Sequence, residues 1–365
     1  MNQMIDNVSQ LSAEQCIIMG EALDSCSMPK SFIDGHLVFS KLSWWCSGFF
    51  PGTCWYSWLL SGNSVVKELA ETQTSRLLDV DSYYRDHDIG FQVMCSAGNA
   101  YKHTGDEKYL PSVRRAAELL ASRYSSSTGA IKSWDNEKFS YPVIIDNMMN
   151  LELLTFASRL FGEKKWMDIA VSHADISSEQ HFRNDNSSYH MVEFDPGDGH
   201  VVGKRTHQGY NDESAWSRGQ AWGLYGFTMM YRETGLERFL GRAESIANFL
   251  LPLLSSSPVP AWDFNAPEPD IRQVDASAAA IMASALLELS TLTKDTVLAR
   301  RCLRQAENTL LELGSDYYLA QKGECGGFIL KHSTGHYLRN SEVDVPLTYA
   351  DYYFLEALYR YKHLD

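Results

Sequence analysis

Apolar residues recur at three- and four-residue steps through six segments of the chain: 110–124, 147–160, 215–234, 238–254, 276–292 and 297–313. That spacing places them on one face of a helix, so six helices are expected there. Alternation with a period of two is scarce and short, as at residues 327–330, which read as a strand. A signature recurs between the helical runs. Thr104-Gly105-Asp106-Glu107-Lys108-Tyr109-Leu110 resembles Phe161-Gly162-Glu163-Lys164-Lys165-Trp166-Met167, and both resemble Thr234-Gly235-Leu236-Glu237-Arg238-Phe239-Leu240. Each copy puts a glycine where one helix ends and an acidic first turn where the next begins. Residues 293–299 form a degenerate copy without the glycine.

One helical hairpin per roughly 60 residues gives about six hairpins in 365 residues. Six hairpins can close into a ring, the (α/α)6 toroid, with one helix of each pair lining the centre. An open solenoid of the same hairpins is the alternative. No Pro-, Gly- or Ser-rich linker interrupts the chain, so one all-α domain over residues 1–365 is expected.

The composition, 44% hydrophobic and 12% aromatic, supports a large core and excludes a disordered chain. With 46 Asp+Glu against 32 Lys+Arg, the formal net charge is −14. Such a chain is a poor partner for nucleic-acid phosphates or an anionic membrane surface. An anionic substrate would have to be caught by a local positive feature working against the global field. No run of 18 apolar residues suggests a transmembrane helix. The polar stretch 1–10, with Asp6 and no basic residue, does not read as a secretory signal. The seven cysteines are scattered and form no CxxC pair. Buried thiols and a cytoplasmic location are therefore expected, or a periplasmic one if a leader has been removed. No ligand cluster stands out, so neither metal nor cofactor is expected.

Four loop clusters carry candidate chemistry: residues 43–52, residues 86–91, residues 144–150, and residues 206–209 running on to 214–223. Asp146 precedes a helix and follows an apolar run. It reads either as a helix cap or as a carboxyl whose pKa is raised by apolar surroundings until it can act as an acid. Asp88 admits the same two readings, and two carboxylates in one cleft are the usual apparatus of sugar chemistry. Arg218 and Trp222 lie four residues apart on one helix face, with Trp216 nearby. They read as core packing with a surface arginine, or as a bidentate and stacking site for a sugar carboxylate. His87-Asp88 also opens a third possibility, a metal-dependent phosphohydrolase of the HD type, which would need further His and Asp ligands. His36 is the nearest candidate upstream.

Taken together, these clusters resemble glycoside hydrolase family 88, the unsaturated glucuronyl hydrolases. The match runs in order from residues 45–52 to the C-terminal Tyr349-Ala350-Asp351-Tyr352-Tyr353-Phe354. The resemblance implies an (α/α)6 barrel, with Asp88 and Asp146 as the catalytic pair. It implies Trp45, Trp134, His190, Gln208, Trp216, Arg218 and Trp222 as substrate-site residues. Cys46 stands where the family often has Thr, and Tyr337 is the candidate for a family tyrosine near the C-terminal end. Some members hold a sulfate with a Ser/Lys cluster, where residues 332–344 offer only Arg339 and Ser341.

The implied partner is an oligosaccharide bearing a 4,5-unsaturated uronate, and no metal takes part. Protonation of carbon 4 by one carboxyl, Asp146, would create an oxocarbenium-like centre at carbon 5. Water would add there, and the resulting hemiketal would open and release the next sugar. A charged Asp88 would hold sugar hydroxyls and keep Asp146 protonated by repulsion. The alternatives are the related unsaturated rhamnogalacturonyl hydrolases, acting on pectin fragments, and a non-catalytic sugar-binding toroid.

Overall fold

The computed structural model describes residues 1–24 and 26–364. Among these residues, twelve long helices alternate between two roles. The even-numbered ones are α2 (Phe49–Ser61), α4, α6 (Asn147–Phe161), α8 (Ser217–Thr234), α10 (Ala276–Leu292) and α12 (Thr348–Lys362). Helix α4 is continuous but changes pitch, running as α-helix over Ile89–Val93, π-helix over Met94–Gly98 and α-helix again over Asn99–Thr104. Each even helix packs against the next, and α12 packs on both α10 and α2, which closes the ring. The odd-numbered helices form the outer layer: α1 (Asn2–Ala22), α3 (Ser64–Ser75), α5 (Leu110–Ala121), α7 (Lys164–Gln180), α9 (Glu237–Leu254) and α11 (Thr296–Leu313). Helix α1 lies against α2 and completes the sixth pair. The fold is the (α/α)6 barrel, and the open solenoid is excluded.

Sequence accounts for the two layers. Helix α8 is buried without a break from Ser217 to Met230, and α10 from Ala276 to Leu287. Both are rich in small residues, which lets helices crowd around a common axis. The outer helices bury one stripe only, as α5 does with Val113, Ala116, Ala117 and Leu120. The repeated glycine marks the turn from inner to outer helix. Gly105, Gly162 and Gly235 all take left-handed φ values between 67° and 71°, as does Gly62 after α2. The degenerate copy ends α10 at Thr293 in extended backbone instead.

At the opposite rim, longer connections lead from each outer helix to the next inner one. Here the structure departs from the sequence reading. The run 327–330 is not a strand: Glu324–Gly327 is a tight turn, and Leu330 makes a single bridge to Leu319. Among the described residues, nine short strands lie elsewhere. β1 (Ser27–Ile33) pairs with β2 (His36–Lys41), and β3 (Tyr124–Ser125) with β4 (Ala130–Ile131). β5 (Tyr141–Ile144), β6 (Met191–Phe194) and β7 (Val201–Arg205) form an antiparallel sheet in that order. β8 (Ser333–His336) pairs with β9 (Ser341–Val345). Among the described residues, no helix is long and apolar enough to cross a membrane. Cys16, Cys46, Cys54, Cys95 and Cys302 are buried thiols.

Candidate active site

A cavity of about 500 Å³ opens where the inner helices begin. Trp44 and Trp45 enter it from the start of α2, Asp86, His87 and Asp88 from that of α4, and Ile144 and Asp146 from that of α6. Trp216 and Arg218 enter from the start of α8 and Tyr349 from that of α12. Trp134, His207, Gln208, the cationic Lys30 and Arg85, and the β8–β9 hairpin, with His336, Arg339 and Ser341, form the remaining wall. The positive ends of these helix dipoles thus converge on one space. This is the local feature that an anionic substrate needs in a chain of net charge −14.

Both aspartates occupy the position just before a helix, and neither side chain makes a capping hydrogen bond. The capping reading therefore fails for Asp88 and Asp146 alike. Strand pairing sets the surroundings of Asp146. β5 pairs with β6 so that Ile144 faces Met191, and Ile145 N–H donates to His190 O at 2.9 Å. This brings His190 Nε2 to 3.7 Å from Asp146 Oδ2. His190 Nδ1 accepts the backbone N–H groups of His207 and Gln208, both at 3.1 Å, so the neutral ring carries its proton on Nε2, toward Asp146. The Trp222 N–H faces the same carboxyl. Burial pushes Asp146 up to about 7, with the positive charge of Arg218 and the Trp222 N–H pulling the other way.

Burial also holds Asp88 well above the usual carboxylate range, reinforced by the negative charges of Asp86 and Asp146. The charge effect expected from the sequence is therefore reversed. Asp88 has the acidic neighbours and stays protonated, whereas Asp146 has the arginine and titrates near neutrality.

Of the nine expected site residues, Trp45, Asp88, Trp134, Asp146, Gln208, Trp216 and Arg218 line the cavity. His190 and Trp222 stand behind Asp146. Trp222 is buried against Phe91 and Tyr353, with ring centroids 5.2 and 5.5 Å away, so it offers no face to a sugar. Arg218 also departs from expectation. Its fork is already engaged: Nη1 donates to Asp275 Oδ2 and to Thr334 O, both at 2.6 Å, and Nη2 donates to Gly335 O at 2.7 Å. Arg218 thus ties α8 to α10 and to the β8–β9 hairpin while it lines the cavity. Gln208 Nε2 donates to Gly335 O at 3.1 Å and holds the same hairpin. Arg218→Ala should leave Asp275 buried and unpaired, at a cost of about 3–5 kcal/mol. Urea unfolding checks this, and unchanged stability would mean that the Arg218–Asp275 pair does not hold the hairpin.

Tyr337 lies outside the cavity, its hydroxyl donating to Asp270 Oδ1 at 2.8 Å and its ring stacked on Trp262. Tyr349 lines the cavity instead, 4.9 Å from Trp45 and beneath the Arg218 guanidinium. The HD reading also finds no support. Among the described residues, the group of His, Cys, Asp or Glu side chains that converges closely enough for a metal is Asp195, Asp198 and His200 on the exposed β6–β7 turn. Neither His87, Asp88 nor His36 belongs to it.

Comparison with known proteins agrees with this geometry. The model of Glycosyl Hydrolase Family 88 matches residues 32–256. An unsaturated glucuronyl hydrolase of Formosa agariphila is 43% identical over 334 residues, 90% of this chain and 82% of that protein. An unsaturated chondroitin disaccharide hydrolase of Streptococcus pneumoniae is 31% identical over 338 residues, 91% of this chain and 85% of its own. Among solved structures, an unsaturated glucuronyl hydrolase specific for heparin superposes with a TM-score of 0.95 at 42% identity, covering 100% of this chain and 99% of that one. The unsaturated glucuronyl hydrolase of Bacillus sp. GL1 superposes with a TM-score of 0.92 at 29% identity, covering 100% and 97%. A closed ring of six helical hairpins, two uncapped aspartates at one rim and full-length similarity lead to one assignment: the chain belongs to glycoside hydrolase family 88.

Proposed function

We propose that this protein is an unsaturated glucuronyl hydrolase. It hydrates the 4,5 double bond of the unsaturated uronic acid at the non-reducing end of lyase-generated oligosaccharides, chiefly glycosaminoglycan-derived, and so releases that sugar. The observation that carries this reading is the pair of uncapped, desolvated carboxyls in one cavity at the positive ends of the inner helices. Residues 1–365 work as one catalytic unit.

Asp146 acts first as acid and then as base. Held near 7, it gives its proton to carbon 4 of the enol ether and then takes one from the water that adds at carbon 5. A pKa close to the working pH suits both steps. Asp88, held well above the usual carboxylate range by burial and by the charges of Asp86 and Asp146, meets the sugar hydroxyls as a hydrogen-bonding partner. Trp45, Trp134 and Trp216 supply apolar faces for the flat unsaturated ring.

A panel of unsaturated disaccharides, sulfated and unsulfated, followed by loss of the double bond's ultraviolet absorbance, tests the activity. Consumption of none of them would refute it. The pH dependence tests the acid. A carboxyl raised to about 7 keeps its proton below that pH and loses it above. kcat/KM should therefore fall as pH rises through about 7, roughly tenfold per pH unit beyond it. A profile flat to pH 9 would mean that another group donates the proton.

A further inference from the structure

Asp88 does not cap the helix that follows it, and the missing cap comes from the neighbouring inner helix. Asn150, one turn beyond Asp146 on α6 and fully buried, accepts the Phe91 N–H at Oδ1, 2.7 Å away. Gly90 permits this approach, because a Cβ there would run into the Asn150 side chain. With its oxygen committed to a backbone donor, the Asn150 amide presents its N–H groups to His87 Nδ1, at 3.2 Å, and to the Asp88 carboxyl. His87 therefore accepts at Nδ1 and carries its proton on Nε2.

What faces Nε2 agrees with this tautomer. Asp88 Oδ1 lies 3.5 Å away. The Asn147 amide also faces the ring, and its Nδ2 is taken by Ile131 O at 2.7 Å, which leaves Oδ1 as a second acceptor. His87 Nε2 and Asn147 Oδ1 are both buried without a hydrogen-bond partner among the described residues. The imidazole is 1% exposed, and its backbone N–H is fixed on Ser133 O at 3.1 Å.

We propose that Asn150 and His87 are positioning residues for the hydration reaction: Asn150 locks His87 as the Nε2–H tautomer, and that N–H is the directed donor that orients the Asp88 carboxyl. The proposal rests on the reading of Asp88 as an active-site carboxyl. It explains the His87-Asp88 pair as donor and acceptor rather than as two metal ligands. Groups that fix a histidine from behind act in this way at many sites. The other charged groups facing Asp88 are Asp86 from its own loop, Asp146 from the start of α6 and Arg123 beyond α5.

Nitrogen-15 NMR of the histidine-labelled full chain reads the tautomer directly, with the His87 signal assigned by its loss in His87→Gln. The expected wild-type result is a bare Nδ1 and a protonated Nε2 at neutral pH. In Asn150→Asp the carboxylate still accepts the Phe91 N–H but has no proton for His87. The His87 proton is then expected on Nδ1, and kcat should fall about 10- to 100-fold. An Nδ1–H tautomer in the wild type overturns the proposal. So does an Asn150→Asp enzyme in which the proton has moved while kcat has not. The wild-type spectrum needs no turnover and no variant, so a chain that fails to hydrate the disaccharides would refute the proposed function and leave this test standing.

Discussion

Asn in place of Asp146 should yield a folded protein that binds the unsaturated disaccharide and consumes it about 10²–10⁴ times more slowly. Two observations set this expectation apart from a stability effect. The Asp146 side chain makes no capping bond to α6, so the usual loss of about 1 kcal/mol on removing a cap does not apply. Its Oδ2 accepts no hydrogen bond among the described residues, although the His190 and Trp222 N–H groups are turned toward it. An amide oxygen can take that place, whereas an amide cannot lose and regain a proton at neutral pH. The check is a pairing of urea unfolding, expected to be near wild type, with single-turnover consumption of the disaccharide. Near-normal turnover in the folded variant would remove Asp146 from the chemistry.

Asp88→Asn is the second large effect, a fall in kcat on the order of 10²-fold with an unmoved pH profile. Burial holds Asp88 well above the usual carboxylate range, with Asp86 and Asp146 adding to it, whereas Asp146 is raised to about 7 by burial and feels the charge of Arg218. A neutral Asp88 puts no charge on Asp146, so a neutral amide in its place should leave the alkaline limb of kcat/KM near pH 7. A rate profile across pH 5–9 reads it. A limb moved to lower pH would mean that Asp88 is ionised in the working enzyme and repels the Asp146 charge.

Six of the helices were legible in the sequence, three from each layer. The outer helices bury one stripe, and three- and four-residue spacing placed α5, α9 and α11 within a residue of their observed starts, while α1, α3 and α7 were missed. Helices α6, α8 and α10 were found as readily, because polar residues still punctuate them. Helix α2 was not, since Phe49 to Ser57 is buried on every side and shows no period. The short strands were missed because pairing with distant segments decides them. Pro142, for instance, pairs with Glu193.

The site divided in the same manner. Asp88, Asp146 and the tryptophans stood out as unusual residues in loops at helix starts. Arg218 was also found, but not its partners within the chain. Its acceptors Asp275 and Thr334 lie 57 and 116 positions away, and only the folded ring shows that its fork is engaged. Tyr349 and Asn150 were overlooked for the same reason. Each looks like ordinary helix sequence until the neighbouring helix supplies Trp45 or the Phe91 N–H.

The central claim is that a protein carboxyl protonates a carbon–carbon double bond and that the glycosidic bond falls apart afterwards. Its most direct test is the wild-type enzyme with an unsaturated disaccharide in light and in heavy water, following the double-bond absorbance and the released sugar together. Proton transfer to carbon 4 in the transition state should slow both signals in heavy water, with absorbance lost no later than sugar appears. Release of the sugar at the same rate in both solvents, ahead of any loss of absorbance, would contradict hydration and require direct attack on the glycosidic bond.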